Sequence, residues 1–130
     1  MPALLDTAAI VAGIAALAGA GLGIAFLVRG GAWTPPRPAI LAHALLGLGA
    51  VALTIAVVAV GPPTRTEPEG GISFGVLAMA FLIVAAAIGA AGHKVSTSQP
   101  GVRGFVLSAH ALFAVFGSAL AIAAAVTASN

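Results

Sequence analysis

The sequence predicts an all-α membrane protein, a bundle of four transmembrane helices that run alternately up and down. Of its 130 residues, 61% are hydrophobic and only 6% are charged, and the mean hydropathy is +1.18. Globular proteins carry about a quarter charged residues, so the chain lacks the polar surface of a soluble domain. Four apolar runs reach the roughly 20 residues that cross a bilayer. Because the intervening stretches are short, we expect residues 1–130 to form a single transmembrane domain.

The first span is predicted at residues 4–28 and is rich in glycine and alanine. Small residues recur at every fourth position in two series, Ala12-Ala16-Ala20 and Ala15-Gly19-Gly23. This spacing lets helices approach closely in lipid, so we interpret both series as a packing seam. The glycines and prolines of the connector at 29–38 end this helix. Trp33, within the connector, is expected to anchor it at the membrane interface.

The second span is predicted at residues 39–60 and is followed by a polar loop at 61–71. The third span is predicted at 72–91. A connector with Pro100-Gly101 as its turn leads to the fourth span at 104–128. No span has an ionisable side chain in its middle third, so the runs are too apolar for surface helices. Spans of this length require helices rather than strands.

The distribution of charge predicts the orientation in the membrane. The connectors after spans one and three carry four basic residues and no acid: Arg29, Arg37, Lys94 and Arg103. The other side carries Asp6, Arg65, Glu67 and Glu69. Positively charged loops stay in the cytoplasm, so both termini are expected on the non-cytoplasmic side, in a bacterial inner membrane. The N-terminus has no basic stretch before the apolar run, so we expect it to be retained as the first span.

Several functional classes are excluded by composition. The pI near 10.7 rests on five Lys and Arg against three Asp and Glu, with no basic cluster, so we do not expect nucleic-acid binding. The lack of cysteine excludes disulfides, thiolate metal ligands and the attachment motif of c-type haem. No catalytic nucleophile and base, paired carboxylates or phosphate-binding glycine loop is present. Whether the protein is an enzyme is left open; any catalysis would be that of a cofactor, as in an oxidoreductase.

A repeat links the second and fourth spans, because each carries the sequence Ala-His-Ala-Leu near its start. Shifting the chain by 67 residues superimposes His43 on His110, and residues 42–58 then match residues 109–125 at eight of 17 positions. Spans one and three align at this shift only as apolar runs. We interpret the pattern as the duplication of a helix hairpin.

The repeat predicts that the two histidines meet. In an up-down-up-down bundle the second and fourth helices are parallel and diagonally opposed. His43 and His110 both lie roughly 7–9 Å inside their helices at 1.5 Å per residue, so they should face each other at equal depth. Imidazoles arriving from opposite directions suit six-coordinate haem iron rather than a tetrahedral ion. We therefore predict that His43 and His110 are the axial ligands of one haem b, and that Arg37 and Arg103 bind its propionates.

Small and aromatic residues beside the histidines are candidates for the porphyrin surroundings. The small residues that would leave room for it are Ala42, Ala44, Gly47, Ala109, Ala111 and Ala114. The aromatic residues that would line its edges are Phe105, Phe113 and Phe116. Alternatively, the histidines are neutral and hydrogen-bond to backbone or to Ser108 or Ser118. The two arginines would then be topology signals that meet lipid phosphate.

His93 is the third histidine and ends the third span on the basic side. We interpret it as a polar helix end at the interface. Its functional alternatives are a third metal ligand or a proton donor near a haem or a quinone.

The paired histidines near one membrane face resemble those of the small four-helix membrane b-type cytochromes. That resemblance implies electron transfer to or from a quinone or a partner redox protein. Larger diheme relatives carry four ligand histidines. A second pair is missing here, so at most one haem per chain is implied.

Two other functions are considered. The first is a non-haem site at which His43, His93 and His110 bind Zn, Cu or Fe. The second is a non-redox membrane subunit or a small exporter. Proton-coupled export needs an intramembrane acid or base, and Asp6 is the only acid before the second loop. The Gly- and Ala-rich helix faces would also suit a homo-oligomer.

Overall fold

A computed structural model describes residues 2–30, 33–60, 72–92, 94 and 100–129. These residues form four α-helices: α1 (Pro2–Val28), α2 (Arg37–Val60), α3 (Phe74–Gly92) and α4 (Pro100–Ser129). All four are long and apolar enough to cross a membrane. The prediction of an all-α four-helix membrane bundle is therefore confirmed.

The helices form a ring in chain order. α1 packs on α2 and α4, and α3 packs on the same two helices, most extensively on α4. Consequently α2 and α4 lie diagonally across the bundle, as the sequence predicts. The ends of α1 and α3 and the starts of α2 and α4 meet at one end, which we call the basic end because Arg29, Arg37, Lys94 and Arg103 lie there.

Three helices begin earlier than predicted, and each has a proline in its first turn. α1 starts at Pro2. α4 starts at Pro100, so Pro100-Gly101 is the first helical turn and not a loop. α2 starts at Arg37, which places Pro38 inside its first turn. The backbone N–H groups in the first turn of a helix have no acceptor within the helix. Proline, which lacks an N–H group, is therefore tolerated there.

The core is built from alanine. One buried alanine from each helix meets in its centre: Ala12, Ala50, Ala78 and Ala121. Small side chains let the backbones approach, and a hydroxyl adds a link across helices because Ser118 Oγ donates to the Ala12 carbonyl oxygen at 3.2 Å. Among the described residues, every buried one lies in 8–15, 50–57, 78–85 or 117–125. The half of the bundle towards the basic end is therefore the less buried half.

Buried positions recur at fixed shifts between the corresponding helices of the two hairpins. In α2 and α4, buried positions recur at a shift of 67 residues: Ala50, Thr54 and Val57 match Gly117, Ala121 and Ala124. In α1 and α3 they recur at a shift of 70: Ala8, Ala12 and Ala15 match Ala78, Leu82 and Ala85. The difference of three residues lies in the connectors between the helices of each hairpin.

Candidate cofactor site between α2 and α4

The structure brings His43 and His110 together in the interior. They reach inwards from the diagonal helices, and their Nε2 atoms are 3.5 Å apart. Both side chains are half-buried, and they lie between the alanine core and the less buried half at the basic end. The predicted meeting of the two imidazoles is therefore observed.

The two imidazoles point at each other along one line. Their ring centres are 5.8 Å apart and their planes are at 88°. The ring centres are farther apart than the two Nε2 atoms by about the sum of the two ring radii. Both Nε2 atoms therefore lie close to the line that joins the rings.

This coaxial arrangement discriminates between metal geometries. Imidazole ligands of a tetrahedral ion point towards it at about 109° to each other, which is not the direction seen for His43 and His110. Two ligands on opposite sides of one ion are coaxial. With metal–nitrogen bonds of about 2.0–2.1 Å, their nitrogens would be about 4 Å apart. The observed 3.5 Å is roughly half an ångström shorter. A single metal ion would therefore require only a small separation of α2 and α4.

A backbone hydrogen bond fixes the tautomer of His110. Its Nδ1 lies 2.8 Å from the carbonyl oxygen of Ala85 on α3. Because a carbonyl only accepts, Nδ1 must carry the proton. In the neutral ring Nε2 then has the free lone pair, which is the form in which histidine binds a metal.

His43 has an unsatisfied nitrogen in the same position. Its Nδ1 is buried and has no hydrogen-bond partner. Because Nε2 of His110 carries a lone pair, Nε2 of His43 can donate a proton to it across the 3.5 Å between them, and Nδ1 of neutral His43 is then an acceptor without a donor. A cation between the two Nε2 atoms would replace that proton, and His43 would then carry its proton on Nδ1. The donor set therefore fits a metal held on the line between the rings.

Two glycines contact the rings, one on each neighbouring helix. A methyl carbon added to Gly19 would lie 2.8 Å from Cε1 of His43, and one added to Gly89 would lie 2.9 Å from Nδ1 of His110. Gly19, which the sequence places in a predicted packing seam, therefore lies against the ring of His43. Gly19 and Gly89 each lie four residues after an alanine, Ala15 or Ala85, but only the ring of His110 hydrogen-bonds to that carbonyl.

The residues predicted to surround a porphyrin divide into two groups. Gly47 and Ala114 follow the histidines by four residues, on the same helix face, and both are partly buried. Ala109 is also partly buried, whereas the immediate neighbours Ala42, Ala44 and Ala111 are exposed. The prediction for these three is wrong, because one residue along a helix turns the side chain by about 100°.

The aromatic residues are also placed differently from the prediction. Phe105 is 74% exposed and faces away from the histidines' interior site. Phe113 and Phe116 pack on Phe81 of α3, with ring centres 5.5 and 5.9 Å from it. They therefore help to join α3 to α4.

The two arginines are not equivalent. Arg103 precedes His110 by seven residues, about two turns, so both lie on the same face of α4. Its Cζ is 5.2 Å from the ring of Phe26 on α1, a cation–π contact. Arg37 precedes His43 by six residues, which places it about 120° around α2, and it is exposed.

No further protein ligand joins the pair in the part of the chain that the structure describes. Within those residues no three His, Cys, Asp or Glu side chains come close enough to hold an ion. His93, the predicted third ligand, lies outside the described residues. Ser118 donates to Ala12, and neither Ser108 nor Ser118 hydrogen-bonds to a histidine. The backbone hydrogen bond of the alternative prediction is present at His110, through Ala85.

Comparisons with protein-family models, with curated proteins and with solved structures find no match to this chain. The functional inference therefore rests on the geometry of the site.

Proposed function

We propose that the protein is a membrane b-type cytochrome that binds one haem b, with His43 and His110 as its axial ligands. The coaxial Nε2 atoms on diagonally opposed helices are the observation on which the proposal rests. Haem iron with two axial histidines takes its ligands from opposite sides along one line. The unsatisfied Nδ1 of His43 adds support, because a metal on that line would let this nitrogen carry the proton of the neutral ring.

A broad flat cofactor would need space beside the two histidines. No described residue is fully buried in the half of the bundle between the histidines and the basic end. A porphyrin there would require α1 and α3 to move outwards, because Gly19 and Gly89 lie against the two rings. One turn towards the alanine core, Gly47 and Ala114 lie on the histidine faces and are small.

The protein residues have separate tasks in this proposal. A haem supplies one-electron redox chemistry, and the protein tunes it through the axial ligands and burial. His43 and His110 fix the iron position, and Arg103 is the best placed partner for a propionate because it shares the face of His110. Arg37 has a smaller role, because its face differs from that of His43.

The proposed partners follow from the position of the site near the basic end. By the charge bias that end is cytoplasmic, in a bacterial inner membrane, with both termini outside. A quinone in the bilayer or a redox protein at the cytoplasmic face would exchange electrons with the haem. Within the residues that the structure describes, no pair of side chains suggests a reaction other than electron transfer.

The proposal is tested by measuring haem bound per chain after expression with haem supplied. We expect about one haem per wild-type chain and a near-complete loss in His43→Ala and His110→Ala. His93→Ala is the matched control, and it should retain the haem. A wild-type chain that purifies folded and without haem would refute the proposal.

One observation favours a non-haem ion as the second candidate. The rings are already close and are held in grooves at Gly19 and Gly89, so a single ion needs little opening of the helices. Imidazole suits copper, and coaxial ligands argue against a tetrahedral zinc site. Metal analysis that gives one copper per chain without porphyrin would favour this candidate.

A further inference from the structure

We propose that Arg29 and Arg103 bind the phosphate of an anionic phospholipid at the basic end, where α1 adjoins α4. The inference goes beyond the proposed electron transfer and does not rest on it. It gives a role to Arg29, which the haem proposal does not use.

The end of α1 places Arg29 on the side of that helix that adjoins α4. The backbone N–H of Arg29 donates to the carbonyl oxygen of Ala25 at 3.2 Å, so Arg29 continues the last helical turn. It follows Phe26 by three residues, and residues three apart are neighbours on one side of a helix. Phe26 adjoins α4, because Cζ of Arg103 lies 5.2 Å from the centre of its ring. The two arginines therefore border the same junction between helices.

An aromatic ring holds each of the two guanidinium groups. Arg103 lies over Phe26, and Cζ of Arg29 lies 4.9 Å from the centre of the Trp33 ring. The chain brings Trp33 back to Arg29 after Gly30, whose φ of 73° ends the helix. Stacking uses the face of a guanidinium group, whereas its five N–H donors lie in the plane of the group. These donors bind the oxygens of a phosphate in pairs, so both arginines are oriented to receive an anion.

No carboxylate of the described residues competes for these donors. The only acid in that part of the chain is Asp6, which lies in the second turn of α1. It is about 34 Å from Arg29 along the helix at 1.5 Å per residue. Arg37 and Lys94 lie at the same end as the two arginines and add to the positive field. The basic end therefore attracts an anion that the described protein does not supply.

The surroundings favour a lipid over a free anion. Leu27 and Val102 adjoin the two arginines in the sequence and are 74% and 50% exposed, as expected of side chains that meet acyl chains. Trp33 is expected at the level of the head groups. Basic sites between helices at the cytoplasmic face bind the head groups of anionic lipids. Because Arg103 has five donors, a lipid phosphate does not exclude a haem propionate at the same residue.

The experiment uses Trp33, the single tryptophan of the chain, as a reporter beside Arg29. The full chain is placed without haem in mixed vesicles of phosphatidylglycerol and phosphatidylcholine. One lipid or the other carries bromine on its acyl chains, which quenches the fluorescence of an adjacent tryptophan. The ratio of the two quenching curves gives the relative binding constant of the two lipids next to Trp33.

We expect the wild type to prefer phosphatidylglycerol at this position. Arg29→Gln and Arg103→Gln should each lower the relative binding constant about five-fold, which corresponds to about 1 kcal/mol per basic residue near an anionic lipid. Arg37→Gln and Lys94→Gln are the matched controls, because they remove the same charge from the same end. Each control should change the constant by less than about two-fold, since salt screens exposed charges that are not in contact.

Each outcome decides the inference. Equal quenching by both lipids in the wild type would overturn it. Equal losses in all four variants would also overturn it, because they would show attraction to the total charge. Displacement of phosphatidylglycerol by millimolar inorganic phosphate would overturn the assignment to a lipid.

Lysine variants decide the inference where a glutamine variant loses helicity by circular dichroism. Arg29→Lys and Arg103→Lys keep the charge but lack the planar guanidinium group. A partial loss of the preference in them supports the inference, and the full wild-type preference overturns it. A chain that binds no haem leaves all these results unchanged, so this inference and the proposed function fail separately.

Discussion

Nδ1 of His110 lies 2.8 Å from the carbonyl oxygen of Ala85, four residues before the glycine that borders the same ring. This bond predicts that His110 carries its proton on Nδ1 in the cofactor-free protein. Nitrogen-15 NMR of histidine-labelled protein in lipid should show a protonated Nδ1 and an unprotonated Nε2 for this residue. His43→Gln and His93→Gln variants assign the signals. A proton on Nε2 of His110 would mean that the bond is not formed.

The hydroxyl of Ser118 links α4 to α1 through the Ala12 carbonyl. Hydrogen bonds between membrane helices contribute about 0.6 kcal/mol on average, so Ser118→Ala should lower the free energy of unfolding by about 0.5–1.5 kcal/mol. Thr54→Val is the control, because Thr54 donates to Ala50 on its own helix at 2.7 Å. Unfolding in mixed detergent micelles measures both. If both variants lose the same free energy of unfolding, the hydrogen bond between α4 and α1 contributes no more than the one within α2.

Gly117 lies where α4 comes close to α3. A methyl group there would lie 2.8 Å from Cγ of Leu82 and 3.1 Å from its backbone nitrogen. Overpacking typically costs about 1–3 kcal/mol, and we expect Gly117→Ala to destabilise the bundle by that amount. Gly104→Ala on the same helix has nothing within 4 Å and should be neutral or slightly stabilising. A neutral Gly117→Ala in the same unfolding assay would argue against this close approach.

Arg103 and Arg37 should differ in their effect on the proposed haem. A positive charge near the haem favours the reduced form, which carries one more electron. Arg103→Gln should therefore lower the midpoint potential more than Arg37→Gln, whose side chain is exposed on another face. A redox titration followed by absorbance measures both. The opposite order would remove Arg103 as the propionate partner.

The diagonal histidine pair could be predicted because the second and fourth spans retain the matching histidine, leucine and isoleucine positions. The equivalence of α1 and α3 could not, because their matches are mostly alanine and appear only at a shift of 70 residues. That shift depends on the lengths of the connectors, and the sequences of the helices do not indicate it. The starts of α2 and α4 were predicted too late, since proline was taken to exclude a helix that it can begin.

The site itself could be predicted only in part. The exposure of Ala42 and the different faces of Arg37 and Arg103 follow from 3.6 residues per turn, so the sequence contains that signal. The contacts of Gly19 and Gly89 have no such signal, because a glycine beside a ring and a glycine in a helix seam share the same spacing. The tilt of each imidazole depends on the position of a neighbouring backbone, which only the structure supplies.

The most direct test of the account is the reduced-minus-oxidised absorption spectrum of the purified protein. The account predicts a red protein whose reduced form has a sharp α-band and a shifted Soret band. Both bands should be lost in His43→Ala and in His110→Ala and kept in His93→Ala. A folded wild-type protein without these bands, or bands that survive the loss of both His43 and His110, would contradict it.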